Sequence, residues 1–271
     1  MPADAAARAP DVTLTFGGTA TALLRIGGFT LLTDPNFLRR GQRAYLGKGL
    51  WTKRLTDPAI TAAQLPDLDA VLLSHLHGDH WDRVTYRTLD RSLPVVTTPA
   101  AAAKLGSRGF PGAEDLRPWE SRAFTRDGET LRITAVPGVH GPGPLAHVLP
   151  PVMGSVLELL RGDTVRWRGY VTGDTLFRPF LGEVLQRCGR LDALIPHLGG
   201  TRALGVTVTM DGRQGADLVE LLRPEVTAPV HVDDYTRFRS PLGAFVREVG
   251  LRRTPGALRT VARGETISLV P

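Results

Sequence analysis

The sequence predicts an α/β protein in which two β-sheets pack together and helices cover their outer faces. Three observations lead to this prediction. Short apolar runs separated by glycine pairs come first, apolar runs then alternate with helix-like segments, and the same pattern follows again. Strands that alternate with helices are typical of layered α/β folds, so we expect helices on both sheets.

The first strands are predicted to form hairpins. Apolar runs at residues 12–16, 22–26 and 29–33 are separated by Gly17-Gly18 and Gly27-Gly28. Glycine pairs between short apolar runs favour tight turns between antiparallel strands. The polar and basic stretch that follows, residues 36–57, has little periodicity, and we interpret it as a long loop.

Strands and helices alternate over the rest of the chain. Short apolar runs predict further strands at residues 70–74, 95–98, 131–136, 152–160, 165–172, 191–195 and 226–230. Helices are predicted at residues 81–89, 100–105, 176–187, 211–222 and 242–249, and four of them are followed within two residues by glycine or proline. The last segment, residues 258–270, is predicted to be a hairpin around Gly264.

We expect one domain over residues 1–271, because no repeat and no serine- or glycine-rich linker divides the chain. Hydrophobic residues make up 42% of the sequence, which is enough for a sizeable core. Residues 1–11 are rich in alanine and proline, and we predict that they form a flexible N-terminus.

Location and partner class follow from composition. No apolar run approaches 18 residues and residues 1–11 lack the apolar core of a secretory signal, so we expect no membrane span and no secretion. The single cysteine, Cys188, suits a reducing compartment, which favours the cytoplasm. The net charge of +6 comes almost entirely from arginine. Arginine binds phosphate and carboxylate well, which favours a small anionic or ester-containing substrate, although a high-GC coding bias produces the same excess.

The strongest chemical signal is the segment Ser74-His75-Leu76-His77-Gly78-Asp79-His80, which directly follows a predicted buried strand. It holds three of the seven histidines of the chain. His75 and His77 point the same way in an extended backbone, and Gly78 permits a turn that brings Asp79 and His80 back. Imidazole and carboxylate together suit zinc, manganese or iron, so the segment predicts a metal site.

Three more candidate ligands, His140, Asp174 and His231, each follow a predicted strand. The four ligands of the motif are too few to fill the shells of two metal ions. Because strand ends at one edge of a sheet meet in space, we expect these three side chains to complete the site.

These residues carry a family resemblance. The segment from His75 to His80 matches the HxHxDH signature of the metallo-β-lactamase superfamily, and His140, Asp174 and His231 follow in the order of that superfamily. The sequence most resembles the bacterial branch that includes ascorbate-6-phosphate lactonase and the phospholipase D acting on N-acyl phosphatidylethanolamine. The supporting stretches are Leu32-Thr33-Asp34-Pro35, Ile195-Pro196-His197-Leu198-Gly199-Gly200 and Pro229-Val230-His231-Val232-Asp233-Asp234-Tyr235.

The resemblance implies a four-layer αββα sandwich, the metallo-β-lactamase fold, with the site at one edge of the sheets. The ligand sets that it implies are His75, His77 and His140 for one ion and Asp79, His80 and His231 for the other, with Asp174 as the bridge. Two divalent ions ~3.5–4 Å apart share a water and lower its pKa toward ~7, and the resulting hydroxide attacks a carbonyl carbon or a phosphorus. The predicted function is a dinuclear metal-dependent hydrolase of a phosphodiester, lactone or related ester, with zinc favoured over manganese or iron.

The candidate catalytic residues are Asp79 and His197. His197 follows the predicted strand at residues 191–195, so we expect it to reach the site and to protonate a leaving group or bind an anionic substrate. A purely structural histidine is the alternative at this position. Asp34 is expected to shape a turn near the site and to bond to a ligand histidine.

Two further segments are candidates for substrate contact. His147 lies in the loop just after His140, and the loop of residues 39–54 mixes cations with aromatic residues. If this loop overhangs the site, it would attract anionic substrates; if not, it is simply a solvated loop.

Two other functions compete with hydrolysis. Some members of the superfamily are iron-dependent oxidoreductases, but the di-iron branch typically carries glutamate where His77 stands, whereas a mono-iron branch shares the histidines. A non-catalytic, metal-containing nucleic-acid-binding protein is the other alternative. Seven candidate ligands are too many for one closed structural zinc site, and the interval from Asp174 to His231 is too short for the insert of nucleic-acid-processing relatives, so we do not expect a nucleic-acid partner. The sequence contains no pattern that fixes an oligomeric state.

Overall fold

Two β-sheets form the centre of the computed structural model, which describes residues 10–203 and 205–271 apart from the side chain of His147. Residues 1–9 of the predicted flexible N-terminus lie outside this part of the chain. The strands, in chain order, are β1 (Val12–Gly18), β2 (Thr21–Ile26), β3 (Phe29–Thr33), β4 (Arg43–Tyr45), β5 (Trp51–Lys53), β6 (Ala70–Leu72), β7 (Val95–Thr97), β8 (Ala113–Asp115), β9 (Ser121–Arg126), β10 (Glu129–Pro137), β11 (Met153–Arg161), β12 (Thr164–Val171), β13 (Ala193–Ile195), β14 (Arg202–Ala203), β15 (Val206–Thr207), β16 (Val226–Thr227), β17 (Ala257–Leu258) and β18 (Thr266–Ser268). The helices are α1 (Thr85–Thr88), α2 (Pro99–Gly106), α3 (Leu145–Val148), α4 (Glu183–Cys188), α5 (Gly212–Leu222) and α6 (Leu242–Arg252).

The first sheet has the strand order β18-β1-β2-β3-β6-β7-β8. Its strands β1, β2 and β3 form consecutive antiparallel hairpins, which confirms the prediction from the glycine pairs. Strands β3, β6, β7 and β8 are parallel to one another. The segments that follow β3 and β6 therefore leave the sheet at the same end.

The second sheet has the strand order β17-β16-β13-β12-β11-β10-β9. Strands β12, β13, β16 and β17 are parallel, and β10 runs in the same direction as β12 because each is antiparallel to β11. The segments after β10, β12, β13 and β16 consequently emerge at one end of this sheet. The segments after β10, β12 and β16 contain the ligands predicted outside the motif, and the segment after β13 contains His197.

The largest buried cluster lies between the two sheets. It includes Leu24 and Leu31 from the first sheet and Leu157 and Ile195 from the second. Burial of each such side chain contributes ~1.5–3 kcal/mol to folding. A second cluster joins α4, α5 and α6 to the outer face of the second sheet, and a third joins α1 and α2 to the outer face of the first. The four-layer αββα sandwich is thus confirmed.

The predicted hairpin over residues 258–270 is wrong. Strand β17 pairs in parallel with β16 in the second sheet, whereas β18 pairs antiparallel with β1 in the first sheet. Gly264 does form a turn with a φ of +83°, but the chain crosses from one sheet to the other before reaching it. The two apolar runs that flank this glycine therefore serve different sheets.

Two predicted helices are shorter than expected. Helix α1 begins only at Thr85. The Asp82 carboxylate accepts the backbone N–H groups of Val84 and Thr85, so the residues before Thr85 form a turn instead of a helix. The helix predicted at residues 176–187 is regular only over α4 and is preceded by a 3-10 turn, Pro179–Gly182. Proline has no N–H group and therefore favours the start of a helix at this position.

The loop predicted over residues 36–57 contains a small antiparallel hairpin, β4–β5, in which Tyr45 lies opposite Trp51. Strand β9 was not predicted at all, because five of its six residues are exposed and polar or small residues dominate it.

Helices α5 and α6 are the longest that the structure describes, with 11 residues each, and no helix in this part of the chain could cross a membrane.

Candidate metal centre

The motif after β6 folds into a tight turn that gathers its side chains. The backbone N–H groups of His80 and Trp81 both donate to the carbonyl oxygen of His77, at 3.0 and 2.8 Å. Gly78 lies against the β4–β5 hairpin, and a Cβ atom there would meet the backbone N and O atoms of Tyr45 at 2.7 Å. Glycine at position 78 therefore allows the hairpin to pack directly on the turn.

All seven predicted ligands are buried, and the structure brings them together. Their nitrogen and oxygen atoms form sets of three in which every atom lies within 4.8 Å of the others. The first group is His75, His77 and His140, the second group is Asp79, His80 and His231, and a third set joins His75 and His80 to Asp174. Asp174 is thus close to one member of each group, as a bridging residue must be.

The two groups differ in the atoms that converge. In the first group, His77 Nδ1 lies 2.9 Å from His75 Nε2 and 3.4 Å from His140 Nε2. In the second group, Asp79 Oδ2 lies 3.6 Å from His231 Nε2 and 3.9 Å from His80 Nε2. The first group is made only of imidazoles, whereas the second contains a carboxylate.

Backbone carbonyl groups orient one histidine in each group. His140 Nδ1 lies 3.0 Å from the carbonyl oxygen of Val208, and His231 Nδ1 lies 2.9 Å from that of Leu198. A carbonyl only accepts, so each Nδ1 carries a proton and each Nε2 is the nitrogen left to face the centre.

Asp34, which follows β3, orients a third histidine. Its Oδ2 atom lies 3.2 Å from His80 Nδ1, and its Oδ1 atom accepts the backbone N–H and the hydroxyl of Ser74 at 2.8 and 3.0 Å. The contact expected between Asp34 and a ligand histidine is therefore present. A carboxylate behind a histidine raises the basicity of the nitrogen that faces the metal.

Several buried atoms at the centre lack a hydrogen-bond partner among the described residues. They are Nε2 of His77, His80, His197 and His231 and Oδ1 of Asp79. Such unpaired buried groups are rare in proteins because each loses its hydrogen bonds to water. For His80 and His231 these atoms belong to the converging set, so the donor types and their unpaired state fit a bound transition metal.

Burial dominates the first group electrostatically. Without a bound metal, burial lowers the pKa of His140, lowers that of His75 well below its ordinary value, and lowers that of His77 to about 3. All three imidazoles are therefore neutral at neutral pH, which is the form that binds metal.

Carboxylates dominate the second group. Burial lowers the pKa of His80, but the charges of Asp174, Asp34 and Asp79 outweigh it and raise that pKa well above its ordinary value. The pKa of His231 is likewise raised, chiefly by Asp174 against the effect of burial. Burial in turn raises the pKa of Asp174, but His231 and His80 outweigh it and hold that pKa well below the usual range.

His197 follows β13 and reaches the same end of the sheet, but it lies behind the ligands. Its ring is fully buried, with Nδ1 at 3.3 Å from Asp174 Oδ1 and Nε2 at 3.9 Å from Asp34 Oδ2. Its backbone N–H donates to the hydroxyl of Thr172 at 2.9 Å. This position places His197 against a ligand carboxylate and gives it no solvent-exposed surface.

Sequence reasoning missed Thr209, whose hydroxyl donates to Asp174 Oδ2 at 2.9 Å. It also missed Asn36, whose side-chain amide donates to the carbonyl oxygen of Gly78 at 2.8 Å while its oxygen accepts from Arg54 and Tyr235. Neither residue belongs to a spacing pattern, and only the position of Asn36 two residues after Asp34 offered a signal.

His231 adopts a backbone conformation that is uncommon for residues other than glycine. Its φ is +60°, and its N–H donates to the carbonyl oxygen of Thr19 at 2.6 Å. Asp34 also has a positive φ, of +36°. Each non-glycine residue with a positive φ costs ~1–3 kcal/mol. Such residues persist where the surrounding structure holds them in place, commonly at functional sites.

The metal centre opens into a cavity of about 20 Å³, which has room for about one water molecule. Leu46 and Leu50 of the β4–β5 hairpin, Leu149 after α3 and the arginines Arg202 and Arg237 line it. The loop of residues 39–54 therefore does overhang the site. The side chain of His147 lies outside the described residues, so its predicted substrate contact stays a prediction.

Comparisons with known proteins agree with this geometry. A family model described as beta-lactamase superfamily domain matches residues 30–232. A UPF0173 metal-dependent hydrolase of Anaeromyxobacter sp. (strain K) is 26% identical over 269 residues, covering 96% of this chain and 84% of the relative. The N-acyl-phosphatidylethanolamine-hydrolyzing phospholipase D 1 of Caenorhabditis elegans is 29% identical over 134 residues, or 46% of this chain and 37% of that enzyme. The solved structure of an isothiocyanate hydrolase from Delia radicum gut bacteria has the same fold, with a TM-score of 0.78, 20% identity, and coverage of 96% of this chain and 100% of that one.

Proposed function

Because the chain belongs to the beta-lactamase superfamily and is a metal-dependent hydrolase, we propose that it uses two divalent ions, zinc being favoured, to hydrolyse a phosphodiester, lactone or related ester. The observation that carries this proposal is the pair of three-residue groups together with Asp174, which lies close to His75 of the first group and His80 of the second. The first group would hold one ion and the second group the other. A reducing compartment suits the single cysteine, Cys188, and we extend the proposal to a cytoplasmic location.

A pair of ions held in this way would supply an activated water and electrostatic stabilisation of the charge that develops on the substrate oxygen. The chain contributes the spacing of the two groups. Asp174 is held from two sides, by the Thr209 hydroxyl and by His197, so its carboxylate cannot rotate freely. Asp79 contributes an anionic ligand to the second group, which is the basis for its assignment as a catalytic residue.

We revise the role of His197 within this proposal. Its buried position against Asp174 favours a positioning residue over a proton donor to the leaving group. The substrate class follows from other features. Arg202 and Arg237 line the cavity of the metal centre and would attract an anionic substrate. The Caenorhabditis elegans relative, by its name, hydrolyses a phospholipid, which supports an ester of this kind.

Metal analysis together with a substrate screen tests the proposal. We expect roughly two transition-metal ions per chain and hydrolysis of bis(p-nitrophenyl) phosphate or a simple lactone that stops when a chelator removes the metal. The double variant His75→Ala/His77→Ala should retain roughly one ion, because only the first group is disrupted. Full metal content in this variant would overturn the ligand assignment. Bound iron without hydrolysis of either substrate would favour the oxidoreductase alternative.

A further inference from the structure

A groove beside the metal centre has the lining of a ligand-binding site. Its volume is 340 Å³, within the range of small-molecule sites, whereas the cavity at the metal centre holds only about one water molecule. His77 lines both spaces. A substrate whose reactive group reaches the metals must therefore place its remaining atoms outside the small cavity, and this groove adjoins the cavity at His77.

Aromatic side chains form one part of the groove. Tyr45 and Trp51 lie opposite each other on the β4–β5 hairpin with ring centroids 4.8 Å apart, and they are 46% and 50% exposed. Trp81 and Tyr86 from the other side of the groove pack edge to face at 5.7 Å. Exposed aromatic rings beside a cavity can bury apolar ligand surface, which stabilises binding by ~25 cal/mol per Å².

Cations form the other part. Arg43, Arg83, Lys104 and Arg108 line the groove, and none of them forms a salt bridge with a carboxylate of the described chain. The groove contains one carboxylate, Asp82. That group is already engaged, because it accepts the backbone N–H groups of four residues, Phe37, Leu38, Val84 and Thr85. The groove thus presents uncompensated positive charge next to aromatic surface.

We propose that this groove binds the non-reacting part of the substrate, and that this part is an organic anion with an apolar body, such as an aromatic or acyl group bearing a phosphate, sulfonate or carboxylate. This inference rests on the proposed function for its reaction, but the binding site itself is defined by the groove. The aromatic rings would hold the apolar body and the cations would hold the anionic group.

A second basic groove provides a matched comparison. It has a volume of 320 Å³ and adjoins the metal cavity through Arg202. Four arginines line it, among them the exposed Arg213 and Arg247, together with two carboxylates, Asp211 and Glu248, so it is also net positive, but no aromatic residue lines it. If charge alone governed binding, both grooves would take the same ligand. If aromatic surface is also required, only the groove at His77 should bind an aromatic anion.

Calorimetric titration of the metal-loaded enzyme with naphthalene sulfonate tests the proposal, because sulfonate is a weak metal ligand. We expect one binding site, weakened roughly tenfold by Trp51→Ser and roughly tenfold by Arg43→Gln/Lys104→Gln. The control Arg213→Gln/Arg247→Gln removes the same two charges and should change the affinity by no more than roughly twofold at physiological salt. Unchanged melting temperatures would show that the variants are folded, as the exposure of Arg43, Trp51 and Lys104 leads us to expect.

Equal losses in the control and in Arg43→Gln/Lys104→Gln, or unchanged binding in both groove variants, would overturn the assignment of the groove. Naphthalene methanol, the uncharged analogue, and inorganic sulfate should each bind at least roughly tenfold more weakly, since each lacks one of the two features. Equally tight binding of either would contradict the stated ligand class. The titration measures binding and needs no turnover. It therefore tests the assignment of the groove even if the hydrolysis assay fails. Where hydrolysis is measured, the probe should inhibit competitively, and bound probe without competition would overturn the link to the substrate.

Discussion

The two proposed ligand groups lie on either side of one carboxylate, Asp174, but have opposite electrostatic character. In the first group, three imidazoles are buried together and burial lowers the pKa of each. In the second group, Asp79, Asp174 and Asp34 surround His80, and their charges raise its pKa despite complete burial. The same fold edge therefore contains one group that is neutral before metal arrives and one in which protonated histidine is paired with carboxylate.

This difference implies that protons compete with metal to different extents in the two groups. The first group offers free lone pairs, so metal gains ligands without displacing protons. In the second group the pKa of His80 is raised well above its ordinary value and that of His231 is raised, so protons compete with the metal more strongly there, but the carboxylates of this group compensate the charge of the ion. We infer that the first group fills over a wider pH range and that the second is the more easily emptied.

Removal of the shared carboxylate should have the largest effect. Asp174→Ala takes an anionic ligand from both groups, so we expect kcat/KM to fall by roughly 10³-fold or more and metal content to drop, while the buried sheets keep the fold intact. Metal analysis, kinetics and circular dichroism on the same preparation measure these quantities. An active Asp174→Ala variant with normal metal content would show that the bridge is another residue.

A smaller effect on metal binding is expected from substitution of Asp34, which lies behind the second group. Asp34→Asn keeps the shape of the side chain but removes the charge beside His80 Nδ1, so the second group should bind metal roughly 10–100-fold more weakly. The first group, which Asp34 does not contact, should keep its affinity. Competition with a chelating dye resolves the two binding steps. The comparison between the groups breaks down if both steps weaken equally.

The smallest effect per pH unit is expected when acid removes metal from the two groups. The raised pKa values of His80 and His231 mean that protons return to these residues first as the pH falls, whereas the pKa of His77 is about 3. Each returning proton weakens metal binding by up to ~10-fold per pH unit. Metal content measured between neutral pH and pH ~4 should therefore fall in two steps, and one joint step would contradict the inferred difference.

The convergence of the candidate ligands could be predicted from sequence because their positions follow from strand ends. Asp174 and His231 each come after a strand of the parallel ladder, and His140 comes after β10, which runs in the same direction because β10 and β12 are both antiparallel to β11. Two packed sheets with outer helices followed from the order of strands and helices, whereas the four-layer metallo-β-lactamase sandwich was implied by the resemblance that the HxHxDH signature carries. These features depend on local pattern and direction, which a sequence records directly.

The remaining features depend on contacts between distant segments. The β4–β5 hairpin lacks an apolar face of its own and packs on Gly78, so its short strands leave little periodicity to detect. The burial of His197 depends on how β13 fits behind Asp174, which residue spacing does not encode. The false hairpin at residues 258–270 failed for the same reason, since adjacency in sequence did not mean pairing in space.

The pairing of β18 with β1 has a consequence for how the chain folds. It joins segments as distant in sequence as Thr15 and Thr266, whose hydroxyl groups are 251 positions apart and hydrogen-bonded at 2.7 Å. The β1–β3 hairpins are local and can form early, but contacts across such a separation form late because closing the intervening loop is entropically unfavourable. Until β18 arrives, β1 presents an open strand edge that can pair with other chains. Pairing with β18 covers this edge, and the new edge of the first sheet is a strand of only three residues, which offers less backbone for pairing with other chains.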